Sequence, residues 1–169
     1  MFCMSMIVHG LSDFYGNNAN DVSAYHIRMQ TEAMSGIILV EVMELDIKTV
    51  NTDFLIQAGP YSHIVIAGEF IFLSGIDPID IQKSLIITDD IEKATEIVME
   101  NMKKSLESVG SSLDKVVKVT IFMRDMADFN KLNDVYARYF TKACPARTCV
   151  AVKEVPGNFP LKVEAIAVK

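Results

Sequence analysis

"HIVIAGEFIFLSG", residues 63–75, is two apolar runs around Gly68. Runs of this length, with β-branched and aromatic residues about a glycine, read as a β-hairpin. Both faces of each run are apolar, which a half-solvated sheet does not tolerate. A cover is therefore needed on the side away from the sheet's own helices. Another subunit is the expected cover, and the N-terminal stretch is the alternative.

Downstream the pattern stays dense. "TDDIEKATEIVMENMKKSLESVG" (88–110) predicts a helix, with Asp89 and Glu92 as a capping-box-like start and Gly110 as the stop. Ile91, Thr95, Val98, Met102, Leu106 and Val109 share one face. "KVVKVTIFMRD" (115–125) predicts a strand with Val117, Val119, Ile121 and Met123 on one side. "DMADFNKLNDVYARYF" (125–140) predicts a second helix, with Phe129, Leu132, Tyr136 and Phe140 at helical spacing. Strands at 147–152 and 161–168 close the chain, joined through Pro156-Gly157-Asn158. The pattern gives an α+β fold, a mixed sheet with two helices on one face.

The chain has 169 residues, enough for one domain with a sizeable core, and a net charge of −6. Nucleic-acid binders usually carry a basic stripe, whereas the lysines here are scattered, apart from Lys103-Lys104 on a solvated helix face. The three cysteines, Cys3, Cys144 and Cys149, form neither a disulfide framework nor a metal-ligand spacing. No apolar run approaches the roughly 20 residues of a membrane helix. The start lacks the basic n-region of a secretory signal, and a cytoplasmic protein is expected.

Residues 1–42 carry one basic residue, Arg28, and loop-like clusters such as "GNNAND". "DVSAYHIRMQTEAM" admits a short helix after Asp21, with a thin apolar face. His9 and His26 have no acidic partners nearby in sequence. Met43 opens "MELDIKTVN", a plausible start of its own, so 1–42 reads as an N-terminal extension and 43–169 as the domain.

Four collinear blocks resemble the YjgF/RidA family, also called the reactive intermediate deaminase or L-PSP family. They are "AGPYSHIVIAGEFIFLSGI" (58–76), "SLESVGSSLDKVVKVTIFMRDMADFNKLNDVYARYF" (105–140), "PARTCVAV" (145–152) and "VEAIAV" (163–168). The resemblance covers about 43–169 and implies a chorismate-mutase-like homotrimer, with an inner barrel of sheets and clefts between subunits. It implies hydrolysis of reactive enamines and imines such as 2-aminoacrylate to 2-keto acids and ammonia. Neither a metal nor an organic cofactor is implied.

Arg147 is the leading site candidate. A guanidinium matches a carboxylate bidentately and stays charged at any working pH. The alternative role is an intersubunit salt bridge. Tyr61 and Ser74 match positions that the family associates with its cleft, with packing and strand termination as the plainer readings. Cys149 has no base partner in view and is expected to line the pocket rather than attack. Asn133 matches a recurrent family asparagine and is read as a brace for a nearby loop. His63 is read as a partly buried polar residue.

One departure bears on chemistry. Hydrolytic relatives carry a glutamate fifteen residues after the arginine; here that place is Lys162, and Glu164 matches a second glutamate. Strand alternation puts Lys162 and Glu164 on one face, about 6.6 Å apart. Beside Arg147 the lysine is expected to titrate down or turn toward Glu164. Ile76 stands where relatives often have glutamine. The alternatives to a deaminase are a non-catalytic binder of small carboxylates and, from the family's older label, a ribonuclease or translation inhibitor.

Overall fold

The computed structural model describes residues 25–31, 38–44 and 46–169, in two units, Met1–Leu45 and Asp46–Lys169. In the first, β1 (Tyr25–Thr31) pairs antiparallel with β2 (Ile38–Glu44), from Tyr25 opposite Glu44 to Thr31 opposite Ile38. A strand thus replaces the helix expected after Asp21. "YHIRMQT" contains β-favouring residues and finds in "ILVEVME" a partner for its backbone groups, which outweighs a weak helical stripe. Cys3 and His9 lie outside the described residues.

The second unit holds one six-stranded sheet in the order β3-β4-β5-β10-β8-β9. Its strands are β3 (Ile47–Val50), β4 (Ile64–Ala67), β5 (Phe70–Ile76), β8 (Val116–Met123), β9 (Ala146–Ala151) and β10 (Leu161–Val168). A small ladder of β6 (Ile79–Asp80) and β7 (Leu85–Ile86) precedes helix α1 (Ile91–Ser108). Every neighbouring pair in the large sheet is antiparallel except β8–β9. The two closing strands are therefore not neighbours, since β8 lies between them.

Local chemistry sets the helix ends. Asp90, not Asp89, caps α1, accepting the Lys93 amide at 3.0 Å, while Asp89 accepts from Thr88. With Ile91 as the first helical core residue, only Asp90 is one step outside the helix. Gly110 ends the helix with φ +79°, a conformation that favours glycine. Helix α2 (Phe129–Tyr136) is shorter than its apolar spacing suggested, because a 3-10 turn at Met126–Asp128, capped by Asp125, takes up its start.

Both helices cover one face of the sheet. Val98, Met102 and Leu106 of α1 and Leu132 of α2 join Ile71, Val119, Ile121, Met123, Leu161 and Val163 in one buried cluster. Val117 departs from the expected stripe and is 43% exposed. The β8–β10 register shifts between Ile166 and Ala167, so Val116 takes the buried place. The opposite face leaves large apolar side chains in solvent, Phe70 at 50% and Phe72 at 41% exposure among them.

Candidate functional site

Arg147 lies on β9 beside Val119 of β8, a residue buried under the helices, so its side chain is directed to the helix-covered side at the sheet edge. Its guanidinium carbon stands 4.7 Å from the Tyr136 ring centre and 5.7 Å from that of Phe129. Both rings come from α2, seven residues apart and hence on one helix face. Such stacking holds a cation without neutralising it. Among the described residues, Arg147 makes no salt bridge.

Two further polar atoms of α2, the Tyr136 hydroxyl and Asn133 Oδ1, are buried without a hydrogen-bond partner among the described residues. Asn133 Oδ1 thus braces no loop among the described residues. Burial pushes the Tyr136 phenol up to about 12, with Arg147 acting in the opposite direction. Cys149, two residues along β9, is half-buried; desolvation raises its pKa despite Arg147, so the group is a thiol at neutral pH.

A second polar group lies across the open face. Lys162 sits opposite Phe122, and Glu164 opposite Thr120, in an unbroken stretch of β10–β8 pairing. The two therefore share a face, as alternation requires. The β10–β5 register shifts between Val163 and Ala165, making a bulge of Ser74 and Gly75 against Glu164. This irregularity lies in β5 rather than near residues 157–160. A cleft of about 640 Å³ collects Tyr61, Ser74, Gly75, Asp77, Lys162 and Glu164.

Lys162 turns to Asp77, not to Glu164: its ammonium lies 3.0 Å from Asp77 Oδ1. Gly75 makes room for the lysine stem, since a Cβ there would lie 2.7 Å from Lys162 Cδ. Desolvation raises the Asp77 carboxyl above its ordinary range, opposed by Lys162. Ser74 donates to the Ser62 carbonyl at 2.7 Å, and Tyr61 donates to the Ile56 carbonyl and accepts from the Ala58 amide, each at 3.1 Å. Both hydroxyls thus shape the loop beside the cleft.

Within one chain the candidates form two half-sites, one on each side of the sheet. Arg147, Cys149 and Asn133 belong to the β9–α2 edge, while Tyr61, Ser74, Lys162 and Glu164 belong to the open-face cleft.

The sequence model described as "Endoribonuclease L-PSP" matches residues 52–169, well over half of the chain. The chain belongs to the endoribonuclease L-PSP family. This is the YjgF/RidA family that the four sequence blocks resemble. A RutC family protein of Pyrococcus horikoshii is 46% identical over 111 residues, covering 66% of this chain and 88% of the relative. The 2-iminobutanoate/2-iminopropanoate deaminase of Dermatophagoides farinae is 36% identical over 110 residues, covering 65% and 86%. E. coli TdcF, whose crystal structure was solved with bound serine, is 33% identical with a TM-score of 0.67, covering 72% of this chain and 98% of TdcF. The mixed sheet with two helices on one face is the L-PSP fold.

Two functional candidates escape sequence reasoning in this L-PSP chain. Tyr136 reads as a core position of α2, and only the packing sets its ring under Arg147. Asp77 follows the Ser74-Gly75 bulge in "SGIDP", where an acidic residue before a proline gives no catalytic signal.

Proposed function

We propose that the protein hydrolyses small 2-imino acids, and the enamines that tautomerise to them, to 2-keto acids and ammonia. The observation that carries this is Arg147, stacked on Tyr136 with no acidic partner among the described residues. A cation held by stacking retains its hydrogen-bond donors for a substrate carboxylate. The name of the D. farinae relative and the serine bound to TdcF support a small α-carboxylate ligand.

Water adds to the imine carbon, the carbinolamine loses ammonia, and the carbonyl of the keto acid forms. Arg147 binds and orients the carboxylate, which fixes the imine carbon relative to the other polar groups. Because the half-sites lie on opposite sides of one sheet, the complete site joins the Arg147 edge of one copy to the open-face cleft of another. The exposed Phe70 and Phe72 are the apolar surface that a homotrimer would bury.

The test is ammonia release from freshly generated 2-aminoacrylate. Arg147→Ala is expected to lower kcat/KM about 10²–10³-fold, the worth of two charge-assisted hydrogen bonds. Equal rates would remove Arg147 from the chemistry. Sedimentation should give a trimer, and a fully active monomer overturns the shared site.

Lys162 in place of the family glutamate favours a second reading, a trimer that binds small keto acids without converting them. Tight 2-ketobutyrate binding with no turnover selects it. RNA cleavage that persists through purification and vanishes in Arg147→Ala would instead support the activity in the family's printed description.

A further inference from the structure

A small cavity of about 20 Å³ adjoins the open-face cleft, sharing Tyr61, Ser74 and Asp77 with it and adding His63. That volume holds about one water molecule. Two buried polar atoms belong to residues lining it: His63 Nε2, which has no hydrogen-bond partner among the described residues, and Asp77 Oδ1, which meets the Lys162 ammonium at 3.0 Å. Their chemistry is complementary. The Thr52 amide donates to His63 Nδ1 at 3.0 Å, so Nδ1 carries the lone pair and Nε2 the hydrogen. A water placed here would accept from Nε2–H and donate to the Asp77 carboxylate. Ser74 Oγ, whose proton goes to the Ser62 carbonyl, keeps a lone pair for the other water hydrogen.

We propose that His63 and Asp77 hold the hydrolytic water, and that Asp77 is the catalytic base that accepts its proton. The inference rests on the imine-hydrolase reading above, in which Arg147 of a second copy brings the imine to this cleft. The water oxygen bonds to the iminium carbon as the C=N π pair moves to nitrogen, and one water proton passes to Asp77. Asp77 returns it to the amine nitrogen. The C–N bond then breaks, and the carbinolamine hydroxyl proton travels through Asp77 to the departing ammonia. Keto acid and ammonium leave, and Asp77 is again a carboxylate.

Three arrangements fit Asp77 to this role. Its Oδ1 meets the Lys162 ammonium with one lone pair, which leaves the other for a water. Lys162 at 3.0 Å favours the ionised form, whereas burial draws its pKa up toward the working range of a general base. Glu164, the other cleft carboxylate, is exposed and does not line the small cavity. Lys162 is a positioning residue, the counter-ion that aims the aspartate, and thus takes a different part from the glutamate of hydrolytic relatives.

The experiment measures kcat and KM for the imine formed from 2-aminoacrylate, together with 2-ketobutyrate binding by calorimetry. Asp77→Asn is expected to lower kcat about 10²-fold or more, a general base's usual share, with KM and keto-acid binding little changed. His63→Gln, which retains an N–H donor, should keep most of the rate that His63→Phe loses. Lys162→Met should move the acid limb of the kcat profile to higher pH, because the opposing cation is gone and burial acts alone. The other titratable groups lining the cleft and cavity are Tyr61, His63 and Glu164, and the shift must vanish in Asp77→Asn/Lys162→Met. A wild type that turns over alongside an unimpaired Asp77→Asn overturns the role of Asp77 alone. A wild type with no turnover overturns the imine-hydrolase reading and this role with it. A high-resolution crystal structure of the wild type gives a check that needs no variant. An ordered water bridging His63 Nε2 and Asp77 Oδ1 is expected, and a dry or displaced site overturns the proposal.

Discussion

The guanidinium carbon of Arg147 stands 4.7 Å from the centre of the Tyr136 ring, whose buried hydroxyl has no hydrogen-bond partner among the described residues. The ring holds the cation, while the hydroxyl pays a desolvation cost of about 1–3 kcal/mol that a ligand or second copy can recover. Tyr136→Phe keeps the ring and removes that cost. The free protein should therefore be at least as stable in urea unfolding, while 2-ketobutyrate binding weakens if the hydroxyl meets the ligand. Tyr136→Leu should weaken binding further, because Arg147 loses its platform.

The same phenol predicts alkaline behaviour. Its folded-state pKa, about 12, lies above the ordinary value of 10, so its contribution to stability is full below pH 10. It is lost as pH rises toward 12, since the unfolded chain ionises first. Tyr136→Phe should flatten the fall of stability in that window, read as the urea midpoint against pH.

Asp77 gives the acid counterpart. Burial raises its carboxyl above the ordinary 3.8, so its contribution is most favourable below that value and is lost as pH rises through the folded pKa. Asp77→Asn should thus gain stability relative to wild type at pH 7, with the gain shrinking as pH falls toward 3.8. A gap that widens on acidification would contradict the raised pKa.

Gly75 and Lys162 are coupled by shape. A Cβ at position 75 would lie 2.7 Å from Lys162 Cδ and 3.0 Å from Cγ. Gly75→Ala should cost about 1–3 kcal/mol and dislodge the ammonium from Asp77. Lys162→Ala removes the obstructing stem, so the double variant should be more stable than the sum of the single effects predicts. Strict additivity in urea unfolding would rule out the contact.

Cys149 should be chemically quiet. Desolvation keeps it a thiol, and Cys149→Ala should retain turnover within about threefold. Alkylation by iodoacetamide should be slow at pH 7 and rise at alkaline pH. Loss of all activity in Cys149→Ala would make the thiol a participant.

Much of this protein is legible along the chain. Alternation in "LKVEAIAV" places Lys162 and Glu164 on one face because β side chains have a period of two, and the apolar spacing of α1 names its buried residues. Asp89 and Asp90 were harder to separate, since a cap depends on where the first turn begins, a matter of one residue. The strand at Tyr25–Thr31 leaves no clear local signal, because a short segment's ladder partner lies elsewhere in the chain.

Periodicity assigns residues to faces of their own element, and from it come the α+β class and the exposed apolar face, while Arg147 as a carboxylate-binding candidate comes from the family resemblance of "PARTCVAV". It is silent on how those elements are ordered in space. The registers that pair Arg147 with Val119 and Lys162 with Phe122 of β8 put the two on opposite sides of the sheet. The bulge at Ser74-Gly75 and the cleared space over Gly75 turned Lys162 to Asp77. Packing brought His63 and Asp77 to one small cavity, His63 Nε2 without a partner among the described residues and Asp77 Oδ1 against the Lys162 ammonium. These are contacts between residues distant in sequence, set by packing and desolvation, and no local pattern encodes them.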